Sequence, residues 1–265
     1  MSGGMKKTIK AMAAAALLIL AAAYPASADL SLDVAPAKLE LQISPSTTQT
    51  FPITVRNSGT APLHIQVSLS DFTLTPSGEY QFGKAGSHPY SLAHWLGVNP
   101  REFDVPPNTV QQVRVTLNVP QHVAGEYSGI IFFTTRPERH ETHGITFAER
   151  VAAKVYAYTP ASLRIDGAVD GIAVKETSIG ERFLVGFKNR GNAHVYVNGR
   201  IEVRKGDQTV ARVPFPPQLL VERGERRVLE AYVTDKLPPG TYTALALVDF
   251  GGPNLAGGQT TFTVK

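Results

Sequence analysis

From Leu39 to Val264 the chain keeps returning to strict alternation of apolar and polar residues, cut each time by turn-forming residues. A period of two puts successive side chains on opposite faces of a strand, so the pattern admits antiparallel sheets and little else. Leu39-Glu40-Leu41-Gln42-Ile43 alternates without a break. Residues 51–56 follow, and Asn57-Ser58-Gly59-Thr60 supplies turn chemistry. Leu63, Ile65, Val67 and Leu69 then share a face, with His64, Gln66 and Ser68 on the other. Residues 113–117 (VRVTL) lie between Pro106-Pro107-Asn108 and Pro120. Residues 127–134 (YSGIIFFT) form a more continuous apolar run, as expected of a strand covered on both faces. Residues 144–158 make the last strand before Pro160. No segment after residue 28 carries sustained helical periodicity.

The pattern restarts after Pro160. Strands are predicted at 183–187, 195–197, 201–203, 228–233, 242–248 and 261–264, with turns at Gly206-Asp207 and Pro238-Pro239-Gly240. Short strands at this spacing predict an all-β fold of two consecutive immunoglobulin-like β-sandwich domains, residues 29–160 and 161–265. The 23 glycines and 19 prolines exclude a coiled coil, and 43% hydrophobic residues argue against wholesale disorder. With no cysteine, disulfides, a thiol nucleophile and thiolate metal sites are excluded.

The N-terminus reads as a signal peptide over residues 1–28. Lys6, Lys7 and Lys10 precede a 13-residue apolar block, residues 11–23, and then Ala26-Ser27-Ala28. The block is shorter than the ~20 residues of a membrane span, so cleavage after Ala28 is expected to leave a periplasmic or secreted protein without stable membrane insertion. Losing three lysines takes the formal charge from +4 to +1. A nearly neutral exported chain is not expected to bind nucleic acid.

No catalytic constellation stands out. His140 and His143 are three residues apart in a loop bounded by Pro137 and Gly144, whereas a zinc-protease helix needs H-E-x-x-H. They read as a solvated loop, and His194 as a surface or interface residue. A nucleophile-elbow G-x-S-x-G is missing. Arg223, Arg226 and Arg227 read as a solvated turn, and Trp95 as packing. No enzyme activity, cofactor or metal is expected.

Several stretches together resemble the PapD-like periplasmic pilus-assembly chaperones. These are Pro36-Ala37-Lys38, then Val55-Arg56-Asn57, then residues 98–107 (VNPREFDVPP) followed by Val113-Arg114-Val115. Glu126-Tyr127-Ser128 with Ile131-Phe132-Phe133, Tyr158-Thr159-Pro160 and Val248-Asp249-Phe250-Gly251-Gly252 continue the likeness over most of the chain. The resemblance implies a chaperone that lends its last N-domain strand to a secreted, pilus or surface subunit, with two basic residues fixing the subunit's terminal carboxylate. It assigns Lys38 and Lys154 to the anchor and Ile145, Phe147 and Val151 to the donor strand. Five residues separate Lys154 from Pro160 where the family has four, which by strand parity predicts Lys154 on the opposite face. Thr159 stands where the family has arginine, which implies that Asp249 lacks its usual partner. Residues 188–195, the 201–213 hairpin and residues 237–242 also resemble WxL-type cell-surface proteins, implying an alternative role as an adhesion module with cell-wall contact.

Overall fold

The computed structural model describes residues 31–136 and 148–265, and apart from one 3-10 turn, Pro160–Ser162, every regular element among them is a strand. The first ten are β1 (Leu32–Ala35), β2 (Lys38–Gln42), β3 (Thr48–Asn57), β4 (Leu63–Leu74), β5 (Tyr80–Lys84), β6 (Leu96–Asn99), β7 (Glu102–Val105), β8 (Val110–Asn118), β9 (Glu126–Thr135) and β10 (Arg150–Tyr158). After the turn come β11 (Gly167–Thr177), β12 (Gly180–Asn189), β13 (Val195–Lys205), β14 (Gln208–Pro214), β15 (Leu219–Val221), β16 (Arg226–Val233), β17 (Gly240–Asp249) and β18 (Ala256–Val264). The all-β architecture of two sandwiches follows from this order.

In the first sandwich a sheet ordered β1-β3-β8-β6 faces one ordered β2-β10-β9-β4-β5, with β7 sharing the free edge of β4. Alternation decides what fills the space between them. Ile53, Val55, Val113, Val115 and Leu117 come from one sheet and Ile65, Ile131, Phe133 and Val155 from the other, all fully buried. Each such side chain contributes about 2 kcal/mol by leaving water. The continuous apolar run of β9 has a separate cause. Ile131 and Phe133 enter this core, while Ile130 and Phe132 point the other way, into a cluster with Phe72, Leu74, Tyr156 and Leu220. Leu220 belongs to β15, so the outer face of the sheet packs against the second sandwich.

The second sandwich sets β11-β12-β16 against β14-β13-β17-β18, with β15 on β13. Phe183, Phe187, Ile201, Leu229 and Ala244 are at its fully buried centre. Predicted strands 195–197 and 201–203 are one strand. Asn198-Gly199 is not a turn but the point where β13 changes partner, from β15 to β14. A Cβ on Gly199 would stand 2.3 Å from the Leu247 carbonyl oxygen, so the close backbone approach requires glycine.

The two sandwiches repeat one device. Asn57 and Asn189, both fully buried, each end a central strand, β3 and β12, and open a turn. The Asn57 amide donates to the carbonyls of Ala61 (2.7 Å) and Val105 (2.9 Å) and its oxygen accepts from Gly59 N–H. The Asn189 amide donates to the carbonyls of Ala193, Val221 and Glu222, and its oxygen accepts from Gly191 N–H.

Candidate functional site

The chain leaves one sheet and joins the other at Pro36, so that β2 runs parallel to β10 with Lys38 opposite Lys154 and Glu40 opposite Tyr156. Directly paired residues project from the same face. Lys38 and Lys154 are therefore neighbours on the outer face, toward the second sandwich, which corrects the opposite-face expectation. Counting back from Pro160 fails because β10 ends at Tyr158 and Pro160 opens the 3-10 turn, so strand parity does not extend to the proline.

Tyrosines surround the two ammonium groups. Lys38 Nζ donates to Glu40 at 2.7 Å and to the Tyr196 hydroxyl at 3.2 Å, and Lys154 Nζ donates to the Tyr80 hydroxyl at 2.8 Å. Behind them lies a buried polar layer. The Tyr156 hydroxyl donates to Glu222 at 2.7 Å, and His194 Nδ1 lies 2.8 Å from Glu126, whose side chain is 5% exposed. Burial pushes the Glu222 carboxyl up to about 7, against the opposing hydrogen bond from Tyr156. Burial also works against charge on His194, but its bond to Glu126 and the carboxylates of Glu126, Glu222 and Glu40 outweigh it and raise its pKa. The interface reading of His194 agrees with this placement.

The solvated-turn reading of Arg223–Arg227 is corrected here. The Arg223 guanidinium stacks 3.4 Å over the Tyr90 ring and donates to the Glu126 carbonyl at 2.7 Å. Val228 N–H donates to the Pro76 carbonyl of the first sandwich, while Arg226 pairs with Asp170 of β11 within the second. The turn is a clamp on the first sandwich. Turn chemistry in a sequence says nothing about what the turn docks against, which is why it read as solvated.

Among the described residues, the first part of one edge of β10 is unpaired. Lys154 N–H donates to the Ala37 carbonyl on the β2 side, while the Glu149 carbonyl accepts from Thr135 N–H on the β9 side. Main-chain groups alternate in direction along a strand, so Arg150 and Ala152 present theirs on the β2 side. There β2 pairs only with Lys154–Tyr158, and no other strand among the described residues covers Arg150–Ala153. Val151 is half-buried against the first core. Ile145 and Phe147, like His140 and His143, lie outside the described residues, and within those residues the strand expected at 144–158 begins at Arg150.

Beside this edge the outer face is aromatic. Phe82, 52% exposed, stacks with Tyr80 and meets Phe132 edge-on at 5.0 Å, and the Arg150 guanidinium lies 3.5 Å over Phe132. Tyr80 and Phe82 were missed at the sequence level, although their alternation in YQFGK is a strand signal. Trp95 packs on the first core against Tyr127. Thr159 Oγ1 is buried without a hydrogen-bond partner among the described residues, and Asp249 accepts from Gly251 N–H.

No family model matches the chain, and no curated protein sequence does. Solved structures do. A chain of the chaperone–tip adhesin complex of CFA/I fimbriae biogenesis is similar over 87% of this chain and 97% of its own, at 11% identity and a TM-score of 0.50. The class 5 fimbriae chaperone CfaA gives 87%, 98%, 11% and 0.49. The Salmonella enterica SafA pilin–SafB chaperone complex gives 88%, 96%, 15% and 0.45. The fold of the chain is PapD-like.

Proposed function

We propose that this protein is an exported, non-enzymatic chaperone that holds a pilus or other surface subunit by β-strand addition, with Lys38 and Lys154 anchoring the subunit's terminal carboxylate. One observation carries the reading: Lys38 of β2 and Lys154 of β10 are paired in register at the junction of the sandwiches, and the preceding residues of β10, Arg150–Ala153, have no strand beside them on the β2 side among the described residues. An extended segment laid along Arg150–Ala153 gains main-chain hydrogen bonds, and its end lies beside two ammonium donors. The likeness to a chain from a complex named for a tip adhesin supports the same class of partner. Export follows from the residue 1–28 signal pattern, with domains at 29–160 and 161–265.

The test is co-expression with a pilin-type surface subunit, followed by co-purification. Lys38→Ala should reduce recovery of the subunit at least ten-fold, and Lys38→Ala with Lys154→Ala should abolish it, with the thermal midpoint unchanged within a few degrees. Undiminished recovery by the double variant refutes the anchor. Co-sedimentation with peptidoglycan in place of subunit recovery favours the wall-binding alternative.

A further inference from the structure

The lysine pair already has a carboxylate in front of it, and it comes from the chain itself. Glu40 follows Lys38 by two residues on β2, on the same face, and its Oε1 lies 2.7 Å from Lys38 Nζ and 3.7 Å from His194 Nε2. Lys154 and His194 add further attraction to that of Lys38 for this carboxylate. The other two carboxylates there are committed and inaccessible: Glu126 to His194 and Glu222 to Tyr156. Glu40 is different. Its side chain is 42% exposed, and that of Lys38 is 41% exposed, so solvent and ligand reach both.

Two residues of one strand cannot move apart, but a glutamate side chain can rotate away while its backbone stays in the sheet. We propose that Glu40 is a tethered occupant of the anchor, holding in the free protein the position that a bound chain's terminal carboxylate takes, and giving it up when that chain arrives. This rests on the reading of Lys38 and Lys154 as the anchor. Its consequence is selectivity. A single weak carboxylate must displace Glu40 and gains little, whereas a segment that also pairs along Arg150–Ala153 brings its carboxylate at high effective concentration. The internal ion pair thus screens the lysines from free anions and reserves them for a chain end delivered by strand pairing.

The experiment uses a small probe rather than the subunit. N-acetyl-phenylalanine, with a free carboxylate, and N-acetyl-phenylalaninamide, without one, are titrated into the purified protein and followed by lysine-selective 13C NMR, with Lys38 and Lys154 assigned by substitution. Glu40→Gln keeps the shape of the side chain and removes its charge. It should bind the carboxylate probe about five-fold more tightly than wild type, because a like charge beside the bound anion is gone. Glu40→Asp, which keeps the charge on a shorter arm, should fall between them. The amide should shift neither lysine. Equal or weaker carboxylate binding by Glu40→Gln, with binding still lost in Lys38→Ala, overturns the tethered-occupant role and leaves the lysine anchor standing. Carboxylate binding unaffected by Lys38→Ala and Lys154→Ala, or no binding by any variant, overturns both.

Discussion

Asn57 and Asn189 show how much one side chain can fix. Each amide ties a turn closed and reaches the end of another strand, satisfying carbonyls that water does not reach. Replacing either by alanine deletes these bonds and leaves buried acceptors unpaired, which costs more than the bonds' net contribution. Asn57→Ala and Asn189→Ala are each expected to lower stability by about 2–4 kcal/mol. The measurement is a shift of the denaturant midpoint at constant slope. Less than about 1 kcal/mol would mean that water enters and replaces the amide. Asn189→Ala also frees the Glu222 carbonyl, so it should disturb the junction where Asn57→Ala does not. In sequence Asn57-Ser58-Gly59-Thr60 reads as turn chemistry, but it and residues 188–193 do not read as one repeat. Only a basic residue, the asparagine, a glycine and an alanine recur between Arg56–Ala61 and Lys188–Ala193. Four scattered positions carry no periodicity, and their equivalence lies in hydrogen bonds to strands distant in sequence.

At the level of elements, β10 separates main-chain groups that hold the fold from groups left over. Odd residues bond to β9, and even residues face β2 or, at Arg150 and Ala152, the open edge. Proline lacks the N–H and is tolerated only on the unpaired side of an edge strand. Ala152→Pro is therefore expected to keep the fold, at a cost of about 1–2 kcal/mol, and to abolish subunit recovery. Ala153→Pro removes a β9 bond and places a ring in the first core, where Ala153 is fully buried, and should unfold the sandwich. Circular dichroism melts together with co-purification distinguish the two. Equal recovery by Ala152→Pro and wild type would exclude this edge as the docking strand. β9 was legible in the sequence as a continuous apolar run, and β10 as the segment before Pro160, its alternation being interrupted at Glu149 and Arg150. β2, β3, β4, β8 and most of the second sandwich were legible because half-buried strands write their burial into period two. Exposed or bulged strands do not. All five residues of β5 are exposed, and in β11 a bulge between Val169 and Gly171 breaks the alternation.

The junction belongs to the whole molecule, and here the sequence was least informative. Its members come from β2, β5, β9, β10, β13, β15 and the turn after β15, and no local pattern announces that Glu126, His194, Tyr156 and Glu222 meet. What unites them is a buried layer whose charge depends on pH, and the direction can be worked out. In the unfolded chain Glu222 loses its proton near its ordinary value of 4.5, whereas in the folded protein it keeps it until about 7. Between these values the folded state binds a proton that the unfolded state has released, so stability falls as pH rises across this window. The difference amounts to about 3 kcal/mol if fully expressed. His194 acts with the same sign. Its pKa is raised in the folded state, so its contribution is complete below its ordinary 6.5 and is lost as pH rises through the folded value. Glu222→Gln can still accept the Tyr156 hydroxyl and cannot ionise. Urea unfolding between pH 5 and 8 should show wild-type stability declining and the variant's profile much flatter, with the variant more stable than wild type at pH 8. The residual slope of the variant reports His194 against Glu126 and Glu40. If both proteins decline in parallel, Glu222 is ionised in the folded junction and the buried layer is held by charge rather than by a retained proton.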